Sequence, residues 1–374
     1  MNATSPSGPT GVVLLNMGGP DSLAAVRPFL ARLFSDRQLI RLPAAPLTQP
    51  LFSWIVSGLR ARKVRRYYEE IGGGSPIGRL TEAQRAALER ALRAAGGNFR
   101  VYVGMRYWHP LSKHAVLEMK DDGVARAIAL PLYPQYCAAT TGSSFSDLAA
   151  WMRWARARFP LAFVRSWPDH SGYIAALSEK IAETLARVPA TAAGRAPGRP
   201  DEQAAAASTE APESDFRPGA GGPPVGTHLL FSAHGIPKSF VDGGDPYADE
   251  VARTVAAAMR NFPGVPHSIS YQSRAGRAEW LGPDTVDEVK RLGREGTAAL
   301  VVVPVSFVSD HIETLHELDI RLAATAAQAG IATFLRVPAL ADSPAFIAAL
   351  KDIVLTAGAD ALRPADAPLA GDTP

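Results

Sequence analysis

Polar side chains able to do chemistry follow the apolar segments of this sequence. His234 comes directly after one apolar run, and Asp310, His311 and Glu313 follow another, 298–307. Imidazole and carboxylate groups together suit a divalent first-row metal such as Fe(II) or Zn(II). The sequence therefore predicts a metal-handling site built from these four residues.

Structural explanations compete with that prediction. A lone histidine followed by Gly235 fits equally well a turn residue bonded to the backbone. Asp310 and Glu313 have the spacing of a helix capping box, in which the helix dipole would favour both carboxylates without any catalysis. The two roles are compatible, because a capped helix start also fixes a carboxylate toward a cleft.

Aromatic side chains and a methionine accompany these groups and would suit a large, flat, apolar ligand. The sequence has no G-x-G-x-x-G, P-loop or G-x-S-x-G pattern, which disfavours dinucleotide, ATP-dependent and serine-hydrolase chemistry. The unusual residues near the predicted strand ends include Met17, Arg106, Tyr107, Trp108, Tyr133, Tyr136, Trp280 and Phe307.

Short apolar segments alternate with amphipathic ones along the chain. This alternation predicts parallel sheets covered by helices on both faces, with ligands beyond the carboxyl ends of the strands. The predicted strands are 11–16, 38–42, 99–106, 125–132, 161–166, 227–233, 266–271, 298–307 and 332–337. The predicted helices are 21–34, 50–70, 80–95, 112–121, 143–158, 171–188, 246–261, 283–295, 310–328 and 343–356.

The predicted fold class is α/β, with two doubly wound, Rossmann-like domains, 10–188 and 227–360, and a cleft between them. The segment between them, 189–226, has 10 Ala, 7 Pro and 6 Gly among 38 residues, which predicts a disordered linker. The tail 361–374 has a similar composition and the same prediction. Helix 343–356 is expected to cross back to the N-terminal domain.

Composition sets outer limits on function. Of 374 residues, 47% are hydrophobic and 20% charged, as in ordinary globular proteins. The longest nearly apolar run, 298–308, is shorter than the roughly 18 residues of a membrane span, and we find no signal peptide at the N-terminus.

One cysteine, Cys137, excludes an intrachain disulfide and any four-cysteine metal site, so we expect a cytoplasmic protein. A net charge of +3 is too small to indicate nucleic acid.

A basic run follows an apolar one near the N-terminus. Five of the seven residues in 60–66 are basic, and Leu51, Trp54 and Leu59 lie before them. This pattern fits a solvated helix face, and it also fits peripheral contact of 51–66 with an anionic membrane.

Short segments across nearly the whole chain resemble the ferrochelatases, the enzymes that insert ferrous iron into a porphyrin in haem synthesis. The segments that carry the resemblance are LLNMGGP (14–20), GGGSPI (72–77), MRYWHP (105–110), LPLYPQY (130–136), TTGSS (140–144), LLFSAHG (229–235), YQSRAG (271–276), WLGP (280–283) and FVSDHIETLHELD (307–319).

The resemblance implies a role for each matched residue. His234 and Glu313 would contact the iron and carry catalysis, supported by His311 and Asp310. Which of them is ligand and which is base stays open. The porphyrin-binding residues are then expected to be Met17, Arg106, Tyr107, Tyr136, Trp280 and Phe307.

The resemblance also implies a monomeric lyase of the chelatase-like fold that acts on porphyrin and Fe(II), with no tightly bound cofactor. Animal-type members carry a [2Fe–2S] cluster on four cysteines. A chain with one cysteine cannot hold it, so we expect none. Met17 favours protoporphyrin IX as substrate, and coproporphyrin III is the alternative. A porphyrin or haem carrier without catalysis is the alternative of another class.

Overall fold

The computed structural model describes residues 8–40, 45–189, 224–274 and 278–360. The chain forms two compact units, one ending at Tyr173 and resuming at Leu340, the other comprising Ile174–Ala339. Most of the predicted linker 189–226 and all of the tail 361–374 lie outside the described residues.

The first unit has a parallel sheet with the strand order β2-β1-β3-β4. Every residue of β1 is buried, as expected for a strand covered on both faces. The strands are β1 (Thr10–Asn16), β2 (Phe99–Met105), β3 (Arg126–Pro131) and β4 (Leu161–Phe163). The helices are α1 (Val26–Phe34), α2 (Ala45–Glu70), α3 (Ile77–Ala94), α4 (Ser112–Asp121), the π-helix π1 (Ala138–Gly142) and α5 (Ser143–Ala155). The next helix, α6 (Ser171–Leu185), begins in this unit and continues into the second.

The second unit repeats this arrangement, with the strand order β6-β5-β7-β8. Its strands are β5 (Thr227–His234), β6 (His267–Gln272), β7 (Ala299–Pro304) and β8 (Thr333–Arg336). Its helices are α7 (Lys238–Asp242), α8 (Tyr247–Met259), α9 (Thr285–Arg294), the π-helix π2 (Glu313–Leu322) and α10 (Ala323–Gln328). Both sheets are thus parallel and wound in the same order.

The first unit was predicted to end at residue 188, but the boundary between the two units falls after Tyr173, inside α6. The later part of this helix belongs to the second unit, where Asn261 Nδ2 donates a 2.8 Å hydrogen bond to Ser178 Oγ. The last helix, α11 (Pro344–Asp360), is grouped with the first unit and packs against α3 and β3.

One predicted strand is wrong over its described residues. Residues 38–40 belong to a turn. Asp36 explains this turn, because its Oδ1 accepts a 2.8 Å bond from the Gln38 N–H and its carbonyl accepts a 2.9 Å bond from the Ile40 N–H. Donors bonded locally in this way are not free for a neighbouring strand.

Stability of the second unit should depend on pH through His228 of β5. Burial lowers the pKa of His228 to about 4, while its Nε2 lies 2.9 Å from Ser268 Oγ. The unfolded chain takes up a proton near about pH 6.5 and the folded one does not, so stability is full above that pH and falls as pH decreases toward 4.

We therefore expect the free energy of unfolding to drop by about 1 to 2 kcal/mol from this group between about pH 7.5 and pH 5. His228→Gln should remove that part of the drop. Urea unfolding at both pH values tests this, and an identical drop in wild type and variant would contradict it.

Candidate active site

The predicted catalytic residues gather at one edge of the second sheet. β5 ends at His234, and the segment after β7 leads to Glu313, the first residue of π2. β5 and β7 are neighbours, while β6 lies on the other side of β5. Carboxyl ends of adjacent strands whose connections leave in opposite directions form the crevice in which open α/β sheets bind ligands.

His234 and Glu313 are directly bonded to each other. His234 Nδ1 lies 2.7 Å from Glu313 Oε2, and the side chains are 31% and 12% exposed. A carboxylate only accepts hydrogen bonds, so Nδ1 carries the hydrogen in this contact and the neutral imidazole keeps a lone pair on Nε2. The pair therefore offers a base at Nε2 that is oriented by a carboxylate.

The electrostatics of the pair support this assignment. Burial by itself would lower the pKa of His234, but the Glu313 carboxylate outweighs burial and raises it. Burial would likewise raise the pKa of Glu313, but the positive charge that His234 carries when protonated, together with its hydrogen bond, brings that pKa down to about 2. Glu313 is consequently ionised at neutral pH, and His234 is a stronger base than a free imidazole.

Ser273 joins Glu313 to a second carboxyl group, Glu317 of π2. Its Oγ lies 3.0 Å from Glu313 Oε2 and 2.6 Å from Glu317 Oε2. A serine hydroxyl has one hydrogen to donate, so both contacts are hydrogen bonds only if one carboxyl group is protonated. Burial and the Glu313 charge raise the pKa of Glu317 to about 7, which makes Glu317 the group that holds this proton.

Hydrogen bonds from neighbouring side chains to backbone carbonyls fix the positions of His234 and Glu313. Gln272 Nε2 donates a 3.2 Å bond to the Glu313 carbonyl, and Ser232 Oγ donates a 2.7 Å bond to Gln272 Oε1. Tyr247 Oη donates a 2.9 Å bond to the His234 carbonyl. The end of β5 and the start of π2 are therefore each tied to a buried neighbour.

Asp310 and His311 lie beside this pair. His311 is buried, its Nε2 is 3.8 Å from Glu313 Oε1, and its ring centroid is 4.4 Å from that of Phe307. Burial lowers the pKa of His311, so it is neutral near pH 7. The predicted capping box is not formed, because π2 begins without a side-chain cap and Asp310 bonds to Arg336 instead.

Arg106 and Tyr107 lie in the first unit and share a buried acidic partner, Asp36. Arg106 Nη2 is 2.9 Å from Asp36 Oδ2, the Tyr107 hydroxyl donates to the same oxygen over 2.7 Å, and Ser143 Oγ donates to it as well. Although burial opposes ionisation, these hydrogen bonds and the Arg106 charge lower the pKa of Asp36. Tyr107 is itself only 3% exposed. Its buried ring therefore packs beneath the end of β2.

Two of the remaining predicted porphyrin contacts follow strands of the first sheet, and the third, Trp280, lies in the segment between β6 and α9. Met17 follows β1, and its carbonyl accepts a 2.9 Å bond from the Tyr107 N–H. The ring of Tyr136 follows β3 and lies 4.6 Å from the Arg165 guanidinium carbon. In the second unit, Trp280 pairs with Pro237 through an isolated bridge.

Four residues of this network escaped sequence reasoning: Asp36, Ser143, Glu317 and Arg336. Ser143 and Glu317 lie within the segments that carry the resemblance but have no distinctive spacing, whereas Ser273 follows the predicted strand 266–271 and was assigned no role. Ser273 also has φ of +68°, a conformation that non-glycine residues adopt mostly where the surroundings impose it, often at functional sites.

Among the described residues, no group of three or more His, Cys, Asp or Glu side chains is arranged to hold a metal ion. Iron is the substrate of the chemistry that the resemblance implies. A site that must release its metal into a porphyrin does not need a closed ligand set of its own.

Comparison with solved structures identifies the type of fold. SirB from Bacillus subtilis with Fe3+ has a TM-score of 0.52 to this chain, at 9% identity, over 95% of this chain and 97% of the other. The two units with parallel sheets thus form an α/β fold of the chelatase type.

Sequence comparison identifies the family. The Ferrochelatase family model matches residues 9–357. A ferrochelatase from Synechococcus sp. (strain JA-3-3Ab) is 46% identical, with 92% of each chain covered. One from Synechocystis sp. (strain ATCC 27184 / PCC 6803 / Kazusa) is 43% identical over 93% of this chain and 82% of its own length. The chain belongs to the ferrochelatase family, whose members are lyases that insert ferrous iron into porphyrin in haem biosynthesis.

Proposed function

We propose that the bonded pair His234–Glu313 carries out metal insertion. The observation that supports it most directly is the 2.7 Å bond between His234 Nδ1 and Glu313 Oε2 at the edge where β5 and β7 end. Insertion requires that two pyrrole N–H protons leave while one Fe(II) enters. His234 Nε2 accepts the first proton, and the positive imidazole is stabilised by Glu313 as in other histidine–carboxylate pairs.

The second carboxylate oxygen of Glu313, Oε1, is available to bind the metal. Oε2 already accepts bonds from His234 and Ser273, whereas Oε1 has the more distant His311 Nε2 at 3.8 Å. An ionised oxygen with available lone pairs is a suitable ligand for incoming hydrated Fe(II). We therefore assign the base to His234 and the first metal contact to Glu313 Oε1.

Proton exit would use the carboxyl group of Glu317. Ser273 lies between Glu313 and Glu317, and a pKa of about 7 lets Glu317 gain and lose a proton near neutral pH. Glu317 first releases its own proton, after which Ser273 can turn to donate to it. The two pyrrole protons, each accepted in turn by His234, can then pass along these hydrogen bonds without leaving a permanent charge beside the metal.

Protoporphyrin IX is the substrate that we propose, on the strength of Met17 after β1 and the aromatic residues that follow other strands. Coproporphyrin III is the alternative. Turnover of both porphyrins under the same conditions decides between them, and a kcat/KM that favours coproporphyrin would overturn this choice.

An optical assay tests the activity itself. The full chain is mixed anaerobically with protoporphyrin IX and Fe(II), or with Zn(II) as a surrogate. Appearance of the metalloporphyrin spectrum at a rate proportional to enzyme is expected. Binding of porphyrin without metallation would instead indicate a carrier.

We further propose that the exposed face of α2 rests on anionic lipid. Leu51, Trp54 and Leu59 are 62%, 64% and 77% exposed on this helix, and the basic run 60–66 continues from them. Apolar side chains beside clustered positive charge bind anionic membrane surfaces. None of the described helices is long and apolar enough to cross a membrane.

Vesicle co-sedimentation at low salt tests this contact. Trp54→Ser combined with Leu59→Ser should reduce binding to anionic vesicles at least about tenfold, because apolar burial and charge act together. Trp154→Ser is the control, since Trp154 is 61% exposed on α5 and should leave binding unchanged. Absence of wild-type binding, or equal binding by all proteins, would exclude the proposal.

Other sequence-based expectations stay predictions: a monomer, located in the cytoplasm or peripherally at its membrane, without an iron–sulfur cluster. The last rests on Cys137 being the single cysteine of this chain.

A further inference from the structure

Arg336, at the end of β8, bonds to two carboxylates, Asp310 and Asp319. In the sequence these lie before Glu313 and after Glu317. Its Nη1 donates to Asp310 Oδ1 over 2.9 Å, its Nε to Asp319 Oδ1 over 2.6 Å, and its Nη2 to Asp319 Oδ2 over 2.9 Å. The arginine side chain is 11% exposed. One guanidinium therefore fastens the loop before π2 and the later part of π2 to the sheet.

The segment that it fastens has an unusual conformation. π2 keeps the wider π-helical hydrogen-bond pattern over ten residues, Glu313–Leu322, before continuing as α10. Long π-helical segments are rare, and an ordinary α-helix is the competing arrangement of the same chain. Conversion to the tighter helix would rotate Glu317 and Asp319 relative to Glu313, so contacts that fix both ends of the segment oppose it.

We propose that Arg336 is a positioning residue for metal insertion, which holds π2 in its π-helical form so that Glu313 and Glu317 both reach Ser273. The inference rests on the proposed function of the His234–Glu313 pair. The planar guanidinium suits this task because it bonds one carboxylate in two-point fashion and still reaches another, which an ammonium group cannot do.

The chain offers a matched control in the same unit. Arg291 of α9 also joins two carboxylates, with Nη2 2.7 Å from Glu288 Oε1 and Nη1 2.5 Å from Glu295 Oε1. None of these residues belongs to π2. Loss of this arginine should affect local stability without changing the geometry of the metal site.

The test compares Arg336→Met, Arg336→Lys and Arg291→Met as full-length proteins, at a temperature where each is folded by circular dichroism. Arg336→Met should lower kcat for Zn(II) insertion at least about tenfold, with KM for porphyrin within about twofold of wild type. Arg336→Lys should recover part of the loss. Arg291→Met should keep kcat within about twofold of wild type.

Hydrogen exchange gives a readout that does not depend on activity. Peptides covering 313–322 should exchange at least about tenfold faster in Arg336→Met than in wild type, and at the wild-type rate in Arg291→Met. If Arg336→Met does not fold, the same measurements on Arg336→Lys and Asp319→Asn replace it.

Unchanged exchange of π2 in a folded variant, or a kcat within about twofold of wild type, would overturn the positioning role. Failure of the proposed function looks different: variants of His234 and Glu313 would then keep their turnover, whereas hydrogen exchange would still report whether Arg336 holds π2.

Discussion

His234→Ala should lower kcat for Zn(II) or Fe(II) insertion by about 100-fold or more, because it removes the proposed proton acceptor. Glu313→Gln should cause a similar loss, since the amide keeps the size of the side chain but removes the charge that raises the pKa of His234. Initial rates of metalloporphyrin formation measure both effects. The pair lies at the ends of buried elements, so both variants should bind porphyrin nearly as wild type does.

The control for this prediction is another histidine of the second unit. His267 begins β6, its side chain is exposed, and its Nδ1 lies 3.4 Å from the Val265 carbonyl. His267→Ala should leave kcat unchanged. Near-wild-type turnover in folded His234→Ala and Glu313→Gln would show that the active pair lies elsewhere.

Asp36→Ala should destabilise the first unit by about 3 kcal/mol, because it leaves Arg106 partly buried without its closest carboxylate. Three groups lose a shared acceptor: the Arg106 guanidinium and the hydroxyls of Tyr107 and Ser143. Since Arg106 and Tyr107 directly follow β2, we also expect weaker porphyrin binding. Urea unfolding and quenching of porphyrin fluorescence measure the two effects.

A chemically similar cluster on the surface supplies the control. Asp122 also bonds one arginine, Arg100, and one tyrosine, Tyr102, but its side chain is 31% exposed and that of Arg100 is 45% exposed. Solvent weakens such pairs, so Asp122→Ala should cost less than about 1 kcal/mol. Equal costs for the two aspartates would contradict the importance that we give to burial at Asp36.

Much of the fold could be predicted from sequence because parallel strands buried on both faces are nearly continuous runs of Val, Ile and Leu. β1 and β7 are of this kind: β7 lies within a predicted strand, and β1 begins one residue before the predicted strand 11–16. The turn at 38–40 could not be predicted, because its cause is the side chain and carbonyl of Asp36, two to four residues away.

The candidate site could be predicted in part. His234 and Glu313 stand out as polar residues after apolar strands, so their type and position indicated chemistry. Ser273 stood out only as a polar residue after a predicted strand, and Glu317 and Arg336 did not stand out, because the roles of all three come from contacts across the sheet edge. The π-helical form of π2 was also hidden, since an apolar periodicity indicates a helix without fixing its hydrogen-bond pattern.

The measurement that tests the central claim most directly is a double-mutant cycle on His234 and Glu313. Stopped-flow absorbance would follow one turnover of Zn(II) insertion into bound protoporphyrin in wild type, His234→Ala, Glu313→Gln and the double variant. If the two side chains act as one unit, the double variant should be about as slow as the slower single variant. Rate losses that multiply would show that the two groups act independently, which would contradict the account.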